Sequence, residues 1–193
     1  INKYTKVICD GCLSYDTISE FIVDESNKYF KSIDLHIYNK NGTELIQYAL
    51  GRHESTFTIP EGVIKIGNNA FSGSTYLTSV SMPNSVKYIG KNAFYKCSEL
   101  KTVNLSDNLE IIDSNAFYGC TFLESIMNLE NIIYIGTSAF SENYYLKNIY
   151  FGKNLVAIGA YAFFNQNIMN PYRSLDFPDS LQVIGRYAFY KNK

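Results

Sequence analysis

Cys97-Ser98-Glu99-Leu100-Lys101-Thr102-Val103-Asn104-Leu105, completed by Ile112-Asp113-Ser114-Asn115-Ala116-Phe117, is one copy of a repeat that runs outward in both directions. Ala116-Phe117 recurs as Ala70-Phe71, Ala93-Phe94, Ala139-Phe140, Ala162-Phe163 and Ala188-Phe189, and successive gaps are 23, 23, 23, 23 and 26 residues. Four residues before each Ala stands Ile66, Ile89, Ile112, Ile135, Ile158 or Ile184, followed by Gly in every copy except at Asp113. Seven residues after the Ala come Leu77, Leu100, Leu123 and Leu146. Ten after come Val80, Val103, Ile126 and Ile149, and twelve after come Met82, Leu105, Asn128 and Phe151. If the three extra residues of the fifth unit lie between Phe164 and Ser174, then Leu175, Phe177 and Pro178 join the register, while Phe57, Ile59 and Pro60 open the series.

The spacing has a physical cause. Leu77-x-x-Val80-x-Met82 alternates inward apolar with outward polar side chains, the pattern of a short strand. A single unit cannot bury both its aliphatic row and its Phe, so units must stack and share one core. Parallel strands are then expected about 4.8 Å apart, joined by right-handed crossovers. Gly67 and its equivalents are expected at turns, where a missing Cβ helps. Each Ala-Phe pair is expected on a short helical or irregular turn, with Phe inward.

The unit Cys-x-x-Leu-x-x-Ile/Val-x-Leu, then Ile-Gly-x-x-Ala-Phe, resembles the BspA-type leucine-rich repeats, and the likeness runs from residue 57 to the end. It implies an α/β solenoid in one continuous domain: a right-handed horseshoe of 23-residue units, with a parallel β-sheet on the concave face and short helical or irregular turns on the convex face. Residues 57–193 supply six Ala-Phe units, the last truncated. The resemblance also implies a secreted or cell-surface protein of host-associated anaerobic bacteria or protists. Such proteins are often adhesins for host or matrix proteins, and the family has no catalytic residues to carry over.

Residues 1–56 read as a decayed N-terminal repeat with an insertion. Val7, Gly11, Ile18, Phe21 and Val23 fit the Ile, Ala, Leu, Val and Leu positions, with Cys12 in place of the Phe. The insertion predicts a β-hairpin over about 33–49, because Ile33 to Tyr38 and Glu44 to Tyr48 alternate around the turn residues Asn39-Lys40-Asn41-Gly42.

Composition excludes several function classes. With 17 basic against 18 acidic residues and no basic run, the chain lacks the footprint of nucleic-acid binding or of attraction to anionic membranes. No apolar stretch is long enough for direct membrane insertion. Cys9-Asp10-Gly11-Cys12 has redox or zinc spacing, but it has no second pair, so a structural role is expected, with a local disulfide left open. Cys97 and Cys120 occupy one slot in adjacent units and read as stacked buried thiols rather than a bridge. His36 and His53 have no nucleophile or ligand cluster beside them, and no cofactor or enzymatic activity is expected. The chain begins without Met and stops within a unit, so further repeats or another domain are expected to cover its ends.

The outward strand positions are more informative. Nine residues after each Ala they are Thr56, Ser79, Thr102, Ser125, Asn148 and Ser174; eleven after, they are Thr58, Ser81, Asn104, Met127, Tyr150 and Asp176. Met127 and Tyr150 break the polar pattern, and Leu129 is expected to face the same way. The expected partner-binding site is therefore Met127, Leu129, Tyr150 and Asp176 on the concave face, flanked by Lys147 and Arg173. A host or matrix protein is the first partner expected. A carbohydrate-binding face and a passive spacer are the alternatives.

Overall fold

The computed structural model describes residues 1–127, 129–147, 149–166 and 175–192, with the backbone alone at Met127. Among the described residues, four successive units each send one short strand to both of two sheets, and the last two send one to the second sheet only. The first sheet holds β4 (Thr56–Thr58), β6 (Ser79–Ser81), β8 (Thr102–Asn104) and β10 (Ser125–Met127), paired in the order β10-β8-β6-β4. The second holds β5 (Lys65–Ile66), β7 (Tyr88–Ile89), β9 (Ile111–Ile112), β11 (Tyr134–Ile135), β12 (Ala157–Ile158) and β13 (Val183–Ile184), paired in that order. Thr56 pairs with Ser79 and Ser79 with Thr102, so the sequence period is also the spatial register. The longer fifth unit keeps this register, because Ile158 pairs with Ile184 and Phe177 stacks on Phe151 at 5.7 Å.

Between the sheets, Phe71, Phe94, Phe117, Phe140, Phe163 and Phe189 form the expected column, with ring centroids successively 4.7, 5.0, 5.2, 5.3 and 5.2 Å apart. Leu77, Leu100, Leu123 and Leu146 form a buried row beside it. Burial of this apolar surface is the main force joining one unit to the next.

The outer segments are turns and not helices, so the architecture is a β-solenoid rather than α/β. Among the described residues the only helix is a 3-10 turn at Leu50–Arg52. The reason lies in the backbone around each Ala-Phe pair. The residue before each Ala, namely Asn69, Asn92, Asn115, Ser138, Tyr161 or Tyr187, is left-handed, with φ between 53° and 58°. Four residues on, Gly73, Lys96, Gly119, Glu142, Asn165 and Lys191 are left-handed again, with φ between 55° and 79°. Two such residues a turn apart forbid an α-helix. The amides bond between units instead: Phe94 N–H to the Ala116 carbonyl at 2.7 Å, and Phe117 N–H to that of Ala139 at 2.8 Å.

The glycine after each Ile is explained by close approach, not by φ. A Cβ at Gly136 would lie 2.5 Å from the Asp113 carbonyl carbon, and one at Gly67 would lie 2.7 Å from the Leu45 carbonyl oxygen. Successive units touch backbone to backbone here. Asp113 replaces this glycine in one unit, where its carboxylate accepts bonds from the Tyr88 hydroxyl and, at 2.6 Å, from the Ser114 amide.

The N-terminal quarter forms an antiparallel meander of β1 (Phe30–Ile33), β2 (His36–Asn39) and β3 (Glu44–Gln47), and β3 joins β5 in parallel. Asn39 Oδ1 closes the β2–β3 turn by accepting from the amides of Thr43 at 2.8 Å and Glu44 at 3.1 Å. Residues 7–23 do not pack as a repeat unit. Val7 is 80% exposed and Cys12 is also exposed, whereas Phe21 and Val23 join Phe30, Ile37 and Ala49 in a small second core. The segment wraps the end of the stack rather than adding to its rows. Cys9 and Cys12 form a disulfide that closes an exposed turn. No helix among the described residues is long and apolar enough to cross a membrane.

Candidate functional site

The outward face of the first sheet is a set of polar ladders. Thr102 Oγ1 donates to Ser79 Oγ at 3.1 Å, and Asn104 Nδ2 donates to Ser81 Oγ at 3.3 Å. Met127 pairs with Asn104, which puts its backbone in this row. One unit on, Tyr150 is 67% exposed, and Lys147 and Asp176 are exposed as well. Arg173 lies outside the described residues, as do the outward positions Asn148 and Ser174.

Leu129 does not belong to this face. It is only 6% exposed and is part of the core. Its carbonyl accepts from the Ile132 amide at 3.4 Å, as the Ser106 carbonyl accepts from Leu109 at 3.1 Å and the Pro83 carbonyl from Val86 at 3.1 Å. Leu129 therefore occupies the turn position of Pro83 and Ser106. Strand alternation stops where β10 ends, and the side chain turns inward.

Of the titratable candidates of the sequence, His36, Cys97 and Cys120 sit in packed, structural surroundings. His36 is buried, its Nδ1 accepts the Ala49 amide at 3.0 Å, and its ring stacks on Tyr48 at 4.5 Å. Burial, reinforced by the Arg52 charge, lowers its pKa to about 4. His53 stacks on Tyr76 at 3.9 Å. Cys97 and Cys120 are free and buried, and each thiol donates at 3.1 Å to a Phe carbonyl, those of Phe71 and Phe94. Burial pushes the Cys120 thiol well above its usual range. Among the described residues no cluster of His, Cys, Asp or Glu could hold a metal ion.

Sequence reasoning missed the flank formed by the outer turns. Tyr95 stacks on Tyr118 at 5.2 Å, and Phe122 stacks on Tyr145 at 5.4 Å. The signal was present as aromatics at fixed offsets two and six residues after the Ala. Periodicity alone does not show that these rings stack, because the expected short helical or irregular turn leaves their direction open.

The model of the BspA type leucine rich repeat region matches residues 51–170, in six copies. The chain belongs to the BspA-type leucine-rich-repeat family. Solved structures agree with this BspA-type fold. A leucine-rich repeat protein from Eubacterium ventriosum superposes with a TM-score of 0.74 at 22% identity, covering 100% of this chain and 57% of that one. A leucine rich cell surface protein from Faecalibacterium prausnitzii gives 0.59 at 26% identity, covering 84% of this chain and 52% of that one. A leucine-rich repeat protein from Bacteroides ovatus gives 0.60 at 30% identity, covering 71% of this chain and 34% of that one. This BspA-type chain therefore spans between about a third and rather more than half of those proteins. No curated protein matches it.

Proposed function

We propose that this BspA-type solenoid is a non-catalytic recognition module of a secreted or cell-surface protein, of the adhesin kind, and that it binds a protein partner on the outward face of the first sheet. One observation carries the reading: Tyr150 is 67% exposed on a row that earlier units fill with Thr58, Ser81 and Asn104. An exposed Tyr is an effective interface anchor, because its ring is large, amphipathic and held by few rotatable bonds. The cell-surface description of the Faecalibacterium relative supports the location.

The test is binding to a panel of immobilised matrix and serum proteins, with the Met127→Ser, Tyr150→Ser double variant beside the parent. Affinity for a captured partner should fall by about 2 kcal/mol or more, roughly thirtyfold, with unfolding nearly unchanged. Undiminished binding by the double variant would refute the placement, and a large loss of stability would show that these side chains are core.

A further inference from the structure

A second surface lies on the flank, apart from the Tyr150 row. Two residues after each Ala the chain reads Ser72, Tyr95, Tyr118, Ser141, Phe164 and Tyr190. Neighbouring aromatics in this series stack, Tyr95 on Tyr118 and Phe164 on Tyr190, the latter at 6.0 Å. Ser141 interrupts the stack. The position that would cover the other face of Tyr118 therefore carries no ring.

The next position alternates between open floor and charge: Gly73, Lys96, Gly119, Glu142. A Cβ at Gly73 would meet nothing within 4 Å, and one at Gly119 would meet only the flexible Lys96, its Cγ at 3.3 Å. Lys96, Tyr118, Gly119, Thr121, Glu142 and Tyr144 line one open groove. Its two charges stand two units apart, on the order of 10 Å along the axis. Glu142 accepts from the Tyr144 hydroxyl and, at 3.1 Å, from Asn165 Nδ2, and a carboxylate with about four acceptor sites has room for more. The Lys96 ammonium rests over the Tyr95 ring at 5.4 Å.

We propose that this groove binds a saccharide ring of a glycan. The apolar C–H face of a sugar ring lies on the uncovered face of Tyr118, and its hydroxyls, which both donate and accept, reach Glu142, Thr121 and Lys96. The opposed charges of Lys96 and Glu142 offset each other, so the groove favours a neutral polyol over an ionic ligand. The apolar surface comes from the rings of Tyr118 and Tyr144 and from glycine backbone, with a hydroxyl or a charge beside it in each unit. That is too narrow for the anchor cluster of a protein interface and suits an amphipathic ring.

The experiment is a titration of the folded chain with cellotriose, maltotriose, chitotriose and N-acetyllactosamine, followed by saturation-transfer NMR and calorimetry. At least one is expected to bind, in roughly the millimolar range. Gly119→Lys places in the groove floor a residue that the same position already holds as Lys96 and Lys191. It should weaken binding by about tenfold or more and leave any Tyr150-dependent protein binding unchanged, with only a small drop in thermal unfolding because the left-handed backbone at this position strains any side chain. Tyr118→Ala should weaken it likewise, but Tyr118 also packs on Tyr95, so Gly119→Lys is the decisive variant. Absence of saccharide binding, undiminished binding by Gly119→Lys, or a response to unstructured peptides alone would overturn the proposal.

Discussion

Phe117→Ala tests whether the aromatic column holds the stack together. Phe117 is fully buried between Phe94 and Phe140, at 5.0 and 5.2 Å, with ring planes 2° and 5° from parallel. Truncating a core Phe costs about 3–5 kcal/mol through lost transfer energy and the cavity left behind. Each aromatic neighbour adds about 0.5–1.5 kcal/mol beyond area. With two such neighbours, the upper half of that range is expected. The backbone bond from the Phe117 amide to the Ala139 carbonyl survives the substitution, so the loss reports the side chain. Phe189 provides the comparison. It stacks on Phe163 alone within the column and is only partly buried in this chain, so Phe189→Ala should cost less than half as much. Urea unfolding followed by far-ultraviolet circular dichroism measures both, provided the m-value is shared with the parent. Phe117→Ala within about 1 kcal/mol of the parent, or Phe189→Ala equally costly, would refute the column as the source of cooperation between units.

Gly136→Ala should destabilise by about 1–3 kcal/mol in the same assay, because its Cβ meets backbone that cannot move aside without separating two units. Acid should weaken the fold through His36. Its folded pKa, about 4, lies below the free value of 6.5, so from about pH 6.5 down to about 4 the unfolded chain binds a proton that the folded chain refuses. Stability should therefore fall across that window by about 3 kcal/mol in total, and urea midpoints measured against pH should show a flatter slope in His36→Gln.

Much of the fold was legible because a solenoid turns sequence period into spatial period. Ile66, Ile89 and Ile112 stand 23 residues apart and become hydrogen-bonded neighbours in one sheet, and the Phe residues that share the same spacing become one column. The β2–β3 turn was visible in Asn39 and Gly42 for a similar reason, since turn chemistry is local.

What the sequence alone determined is thus the unit, its register and its inward rows, because each follows from residues that contact their own copies one period away. Tertiary structure alone decided the rest. Ala, Phe, Tyr and Lys around Ala93 suit a helix locally, yet the Phe94 amide pairs with the Ala116 carbonyl of the next unit, and left-handed residues at Asn92 and Lys96 direct it there. Leu129 obeyed strand parity on paper, but β10 ends at Met127 and the turn reverses which side is in. The Tyr118 groove depends on which ring has a neighbour and which has Ser141, a difference between units. Periodicity reports what units share; where units differ, the packing between them decides which side chains are left for a partner.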